Sequence, residues 1–267
     1  MHFTFRLARI RSRIMDIQQF NEISVDIISL QEKINQIGKG FFHSTSLSES
    51  ISPFNDKIYF GLYDWGLLGA ITESTMLLVG DTDRGKTDFA KIIMTALFGE
   101  EEKGWHKTDI DVDFGSNIYS DNDFSAITQG KTTQELFFEK PWLTYPGLIW
   151  DEPNRAPAKL LNKLLHILEK EFTLENGKKV FAGHEFTIDG NKVRYQLNIL
   201  SMNEGDEFHG TNEVDRAARR RQTIEIPIDI FPTSMHDKKL IGKYRNGPLF
   251  FPATRITLLK FLTLWGR

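Results

Sequence analysis

Residues 75–93 read TMLLVGDTDRGKTDFAKII, and the fold of the chain turns on this stretch. An apolar run ends at Gly80, Gly85, Lys86 and Thr87 follow after a short polar loop, and an amphipathic segment then begins. Gly80, Asp81, Thr82, Asp83, Arg84, Gly85, Lys86 and Thr87 match G-x-x-x-x-G-K-[ST] between a strand candidate and a helix candidate. The spacing has a chemical purpose. Glycine lets the backbone close around a phosphate, so that successive N–H groups point inward as an anion nest. A helix beginning near Gly85 adds the positive end of its dipole. Lys86 is then placed to reach the β- and γ-phosphates of ATP, and Thr87 offers a hydroxyl to Mg2+. All eight residues are read as nucleotide-binding positions, with Asp81 and Asp83 expected to point away from the phosphates.

Outward from this loop, apolar strand candidates alternate with helices. They are TMLLVG and a helix over 86–98, then DIDVDF (109–114), then GLIW and a helix over 157–171, then YQLNILSM (195–202) and QTIEIPI (222–228). Such alternation predicts an α/β fold, a P-loop three-layer αβα core on a parallel sheet. The ENGKK and IDGNK turns predict two hairpins between the 157–171 helix and the strand at 195–202. Ahead of the core, 16–40 has helical apolar spacing, HSTSLSESISPFND (43–56) reads as a Ser-rich linker, and IYFGLYDWGLLGAI (58–71) reads as a helix beneath the first core strand. The expected organisation is an N-terminal extension and linker over 1–54, a nucleotide-binding core over 55–231 and an abbreviated helical lid over 232–267.

A phosphate cradle alone serves kinases, GTPases and motors equally, so a second site must decide. PGLIWDEPNRAP puts Asp151 and Glu152 at the carboxyl end of an apolar strand, where open α/β sheets bind ligands. Asp151 is the expected metal ligand beside Thr87. Glu152 is placed to polarise an attacking water, which is hydrolysis and not transfer to a second substrate.

Composition sets the outer bounds. The 267 residues are 40% hydrophobic and 26% charged, an ordinary globular balance. A net charge of -3 gives no global attraction to nucleic acid or anionic membrane. There is no cysteine, which excludes disulfides, Cys-ligated zinc and thiol nucleophiles and fits a reducing, cytoplasmic setting. No apolar run reaches the roughly 18 residues of a membrane span. The first residues, with Arg6, Arg9, Arg11 and Arg13 among apolar neighbours, read as a basic surface helix or as an extension upstream of Met15; a transit peptide or membrane-surface helix is the alternative.

LIWDEPNRAP followed by AKLLNKLLHILEKEFTLENGKKV resembles the MoxR-type AAA+ ATPases, whose second acidic motif runs into Asp-Glu-x-Asn-Arg-Ala-Pro. The resemblance spans roughly residues 60 to 267. FEKPWLTYPG looks like the family's helix-2 insert. NILSMNEGDEFHG looks like its sensor-1 strand, which implies that Asn203 orients the lytic water. NEVDRAARRR resembles its Leu-Asp-Arg-Phe segment, which implies an arginine finger at Arg216, with Arg219, Arg220 and Arg221 as alternatives. FPATRITLLKFLTLWGR looks like the start of the lid helix, which implies that Arg255 is the sensor-2 residue contacting nucleotide. Ala217 departs from the family's Phe, and the lid is shorter than the family's. The resemblance further implies a homohexameric ring with the finger supplied in trans. It also implies a chaperone-like remodeler of a client protein, often beside a von Willebrand A-type partner.

Two rival functions follow from the same residues. One is a nucleic-acid motor, with Lys178, Lys179, Lys192 and Arg194 of the hairpins gripping phosphate. The other is a nucleotide-gated scaffold with little hydrolysis. A calcium loop at DIDVDFGSN fails, since Phe114 and Ser120 stand where Gly and Glu are needed. The histidines have no zinc spacing. The stripe Leu160, Leu161, Leu164, Leu165 and Leu168 reads as core, and the scattered tryptophans form no base-stacking platform.

Overall fold

Met76–Gly80 is buried at every position, which a strand sustains when both faces of its sheet are covered. The computed structural model describes residues 31–32, 34, 47–51, 57–109, 120–122, 129, 137–153, 158–174, 177–188, 191–203 and 224–244. In chain order the elements are β1 (Leu47–Ile51), β2 (Lys57–Gly61), α1 (Leu62–Thr72), β3 (Met76–Gly80), α2 (Lys86–Phe98), β4 (Trp105–Asp109), β5 (Ser120–Asn122) and β6 (Phe137–Glu139). A 3-10 turn at Pro141–Thr144 leads to β7 (Gly147–Asp151) and α3 (Ala158–Leu168). Then come β8 (Glu171–Thr173), β9 (Lys179–Phe181), β10 (His184–Ile188), β11 (Asn191–Tyr195), β12 (Leu197–Asn203) and β13 (Ile224–Pro227), a second 3-10 turn at Ile228–Ile230, and α4 (Met235–Tyr244).

The central sheet has five strands in the order β13-β3-β12-β7-β4, and every neighbouring pair is parallel. The order decides the site. β12 lies between β3 and β7, so the phosphate-loop motif and the acidic pair emerge at the same edge, one strand apart.

Side chains alternate across this sheet, as strands require. Met76, Leu78, Ile149, Ile199, Ile224 and Ile226 share a cluster with Phe89, Ile92, Ile93, Met94 and Leu97 of α2 and with residues of α1. Leu77, Val79, Leu148, Trp150, Leu200 and Met202 fall in a second cluster with Leu164, Leu165, Ile167 and Leu168 of α3. Each fully buried Leu, Ile, Phe or Met stabilises the fold by about 1.5–3 kcal/mol. Polar groups in the second layer are paired: Trp150 Nε1 donates to Asn198 Oδ1 at 3.0 Å, and Gln196 Nε2 donates to the Leu143 carbonyl at 3.2 Å.

Three expectations need correction. Part of the Ser-rich linker is strand, since Leu47–Ile51 pairs antiparallel with Lys57–Gly61. The helix expected over 58–71 starts only at Leu62, because the Asp64 carboxylate accepts the Gly61 N–H at 2.7 Å and fixes the helix start there. The strand expected at 109–114 is instead Trp105–Asp109, ending where the expected one begins; residues 110–114 lie outside the described set. WHKTD is too polar to stand out as a core strand. Among the described residues it occupies the sheet edge, with a strand neighbour on one flank only. Both predicted hairpins are present, as β8–β9 and β10–β11. Of the expected N-terminal helix, residues 31, 32 and 34 are described and helical, and Ile34 is buried in the first core cluster.

Candidate nucleotide site

The loop after β3 is shaped by its backbone. Gly85 has φ 78° and ψ 19°, the left-handed conformation that glycine adopts at no steric cost, and it caps α2. Asp83 is also left-handed at φ 61°. The first turn of α2 therefore opens toward the loop, with N–H groups that have no acceptor within the helix itself. Lys86 begins that helix and is only 7% exposed. Its ammonium donates to the carbonyls of Gly80 at 2.8 Å and Asp81 at 2.5 Å, across the mouth of the loop. Burial pushes its pKa down, partly offset by the charges of Asp229, Glu152, Asp151 and Asp81. Asp81, Thr82, Asp83 and Arg84 are all exposed, and the Asp81 carboxylate lies 3.7 Å from the Arg84 guanidinium.

Across β12 stands the acidic pair. Asp151 ends β7, in register with Ser201 of β12 and Asp109 of β4. Directly opposed residues share a sheet face, so Asp151 and Ser201 lie on the α2 side, and Asn203 follows by the period of two. Thr87 of α2 donates its hydroxyl to Asp151, 3.2 Å from Oδ1 and 3.3 Å from Oδ2. Ser201 donates to the same carboxylate. Lys107 Nζ lies 2.8 Å from Asp151 Oδ2. Burial by itself would raise the Asp151 carboxyl; the hydrogen bonds from Lys107, Ser201 and Thr87 and the Lys107 charge hold it below the ordinary carboxylate range.

Glu152 leaves the strand in a left-handed turn at φ 48°, unusual for a residue with a side chain. Its N–H donates to the Ser201 carbonyl at 2.9 Å, and its carboxylate accepts the Asn203 amide. Glu152 and Asn203, the two expected catalytic residues among the described ones, are thus in direct contact. Arg216 and Arg255 lie outside the described residues.

Three residues enter the site that the sequence reading had not named. Ser201 was readable as the residue two before Asn203 on one strand face. Lys107 is hidden in the sequence because WHKTD has no apolar run to mark it as a core strand. Asp229, in the turn after β13, receives the Asp81 N–H at 3.3 Å and lies 3.2 Å from Arg84 Nε. It packs so closely on Gly80 that a Cβ there would sit 2.8 Å from Asp229 Oδ2. Only the sheet order brings it there.

Mg2+ binds through few protein oxygens and completes its octahedron with phosphate and water. Among the described residues no group of three or more His, Asp or Glu forms a ready metal cage. One carboxylate and one hydroxyl, Asp151 and Thr87, meet beside a helix N-terminus, and this donor set fits a metal brought in with phosphates.

Among solved structures the chain is similar to a presumed ATPase from Cytophaga hutchinsonii, with a TM-score of 0.53 and 15% identity over 91% of this chain and 66% of that one. The fold is a P-loop αβα core on a five-stranded parallel sheet. A weaker likeness is to NtrX from Brucella abortus in complex with ATP (TM-score 0.40, 15% identity, 62% of this chain and 36% of that one). Another is the S. cerevisiae Hsp104–ADP complex (TM-score 0.40, 17% identity, 67% and 33%). The chain spans less than two thirds of the length of each of these proteins. No protein-family profile matches the chain, and no curated protein does.

Proposed function

We propose that this AAA+-type core binds ATP with Mg2+ between the Gly80–Thr87 loop and Asp151, and hydrolyses it. The supporting observation is the Thr87 hydroxyl on Asp151 at 3.2 Å, which joins the phosphate loop to the acidic strand. When bound, Mg2+ neutralises charge on the phosphates as the γ-phosphoryl is transferred. The chain's own groups do the rest. Loop N–H groups and Lys86 hold phosphate oxygens, Glu152 takes the proton of the attacking water, and Asn203 holds the Glu152 carboxylate in position. Arg216 serves as finger in a neighbour's site and Arg255 contacts nucleotide from the lid. That division of labour requires a ring of copies, a hexamer in our reading, and by resemblance to the MoxR type a cytoplasmic remodeler of a client protein beside a von Willebrand A-type partner.

Glu152→Gln tests the chemistry. Hydrolysis should fall by about 100-fold or more while ATP binding persists. Equal, near-zero turnover in both forms would favour the nucleotide-gated scaffold. That second reading draws on one observation: Lys86 and Asp151 are each already engaged by groups of the protein. The nucleic-acid motor is less well supported. Lys178 pairs with Glu139, Lys179 with Glu171, and Lys192 and Arg194 with Glu185, so each of these hairpin cations is already engaged by a carboxylate of the chain.

A further inference from the structure

We propose that Lys107 is a resident counter-cation for Asp151, and that its ammonium sets how much divalent cation nucleotide binding requires. The inference rests on the reading above, in which Asp151 is the metal's protein ligand.

The contact is built into the sheet. In the β4–β7 register Lys107 is opposite Ile149 and Asp109 is opposite Asp151, so Lys107 stands one side-chain repeat below the carboxylate on the same face. Its stem runs along the sheet toward the carboxyl edge and delivers the ammonium to Asp151 Oδ2 at 2.8 Å. Neither partner is a loose surface group, with side-chain exposures of 23% for Lys107 and 19% for Asp151. Thr87 and Ser201 also donate their hydroxyls to the same carboxylate. Asp151 is therefore charge-compensated and oriented by the chain alone.

A dication on the same carboxylate would stand within a few ångströms of that ammonium, and the two would repel in a partly desolvated site. Either Lys107 yields or the metal binds less tightly. Lys107 thus raises the divalent-cation concentration at which this carboxylate takes a metal, a linkage between ammonium and dication that share one ligand. Lys86, whose charged form Glu152 and Asp151 also favour, is present with and without metal and does not remove this competition.

The test is a Mg2+ titration of the binding of a fluorescent ATP analogue, together with Tm measured against Mg2+ in the absence of nucleotide. With Lys107→Met, the Mg2+ concentration for half-maximal analogue binding should fall about tenfold, and Mg2+ alone should begin to raise Tm. Lys107→Arg, which keeps the charge, should retain the wild-type midpoint. Should the Met variant fail to fold, Lys107→Gln removes the same charge and carries the same expectation. A midpoint within twofold of wild type in the neutral variant, or one shifted upward, overturns the proposal. Wild-type protein that binds no analogue at any Mg2+ concentration would instead overturn the nucleotide-site reading itself.

Discussion

Asp151 receives Thr87, Ser201 and Lys107 on one carboxylate, and the sign of their effect on stability can be worked out. Its carboxyl titrates lower in the fold than in the unfolded chain, because these donors outweigh burial. Such a group contributes stability that is present above the unfolded value of about 4 and is lost as pH falls through the folded value. Urea midpoints measured from about pH 6 down to pH 3 should therefore fall more steeply for wild type than for Asp151→Asn. Lys86 runs the other way. Burial lowers its pKa, so the charged ammonium destabilises the fold below the folded value, and that cost eases as pH rises through it. A phosphate beside Lys86 would favour the charged form, which is why a buried lysine suits an anion site better than a structural one.

β12 shows how one element serves two layers. Ser201 and Asn203 face the site, while Asn198 turns to the opposite layer, fully buried, to accept the Trp150 indole N–H and donate to Gln196. Asn198→Ala would leave that indole donor buried without its acceptor. It should lower stability by about 1–3 kcal/mol in urea denaturation, and ATP-analogue affinity should stay near wild type because the site face is untouched. β4 makes the converse point. Its composition hides it from pattern reading, yet it supplies Lys107, and its polar character reflects its position at the edge of the sheet and beside the site.

For the whole molecule, the proposed finger from a neighbouring copy would make catalysis a property of the assembly. ATPase turnover per subunit should rise steeply with protein concentration and then level off, and Arg216→Ala should hold it low at every concentration. A flat specific activity would count against the ring. The hairpins argue in the same direction as to partner. Residues 171–195 carry Glu171, Glu175, Glu185 and Asp189 against Lys178, Lys179, Lys192 and Arg194, so charge cancels and no steep salt-dependent grip on phosphate is expected.

The phosphate loop, the acidic pair, the alternation of strands with helices and both hairpins were legible in the chain, because each is written in consecutive residues as period, turn chemistry or motif spacing. No helix among the described residues is long and apolar enough to cross a membrane, as the hydropathy also implied. The position of β4, the reach of Lys107 to Asp151 and the seat of Asp229 beside Gly80 were decided only by tertiary structure. The Lys107–Asp151 and Asp229–Gly80 contacts join residues far apart in sequence through strand order and register, and neither order nor register is encoded locally. Charged residues on an edge strand look like solvent-facing ones until the neighbouring strand shows what they meet.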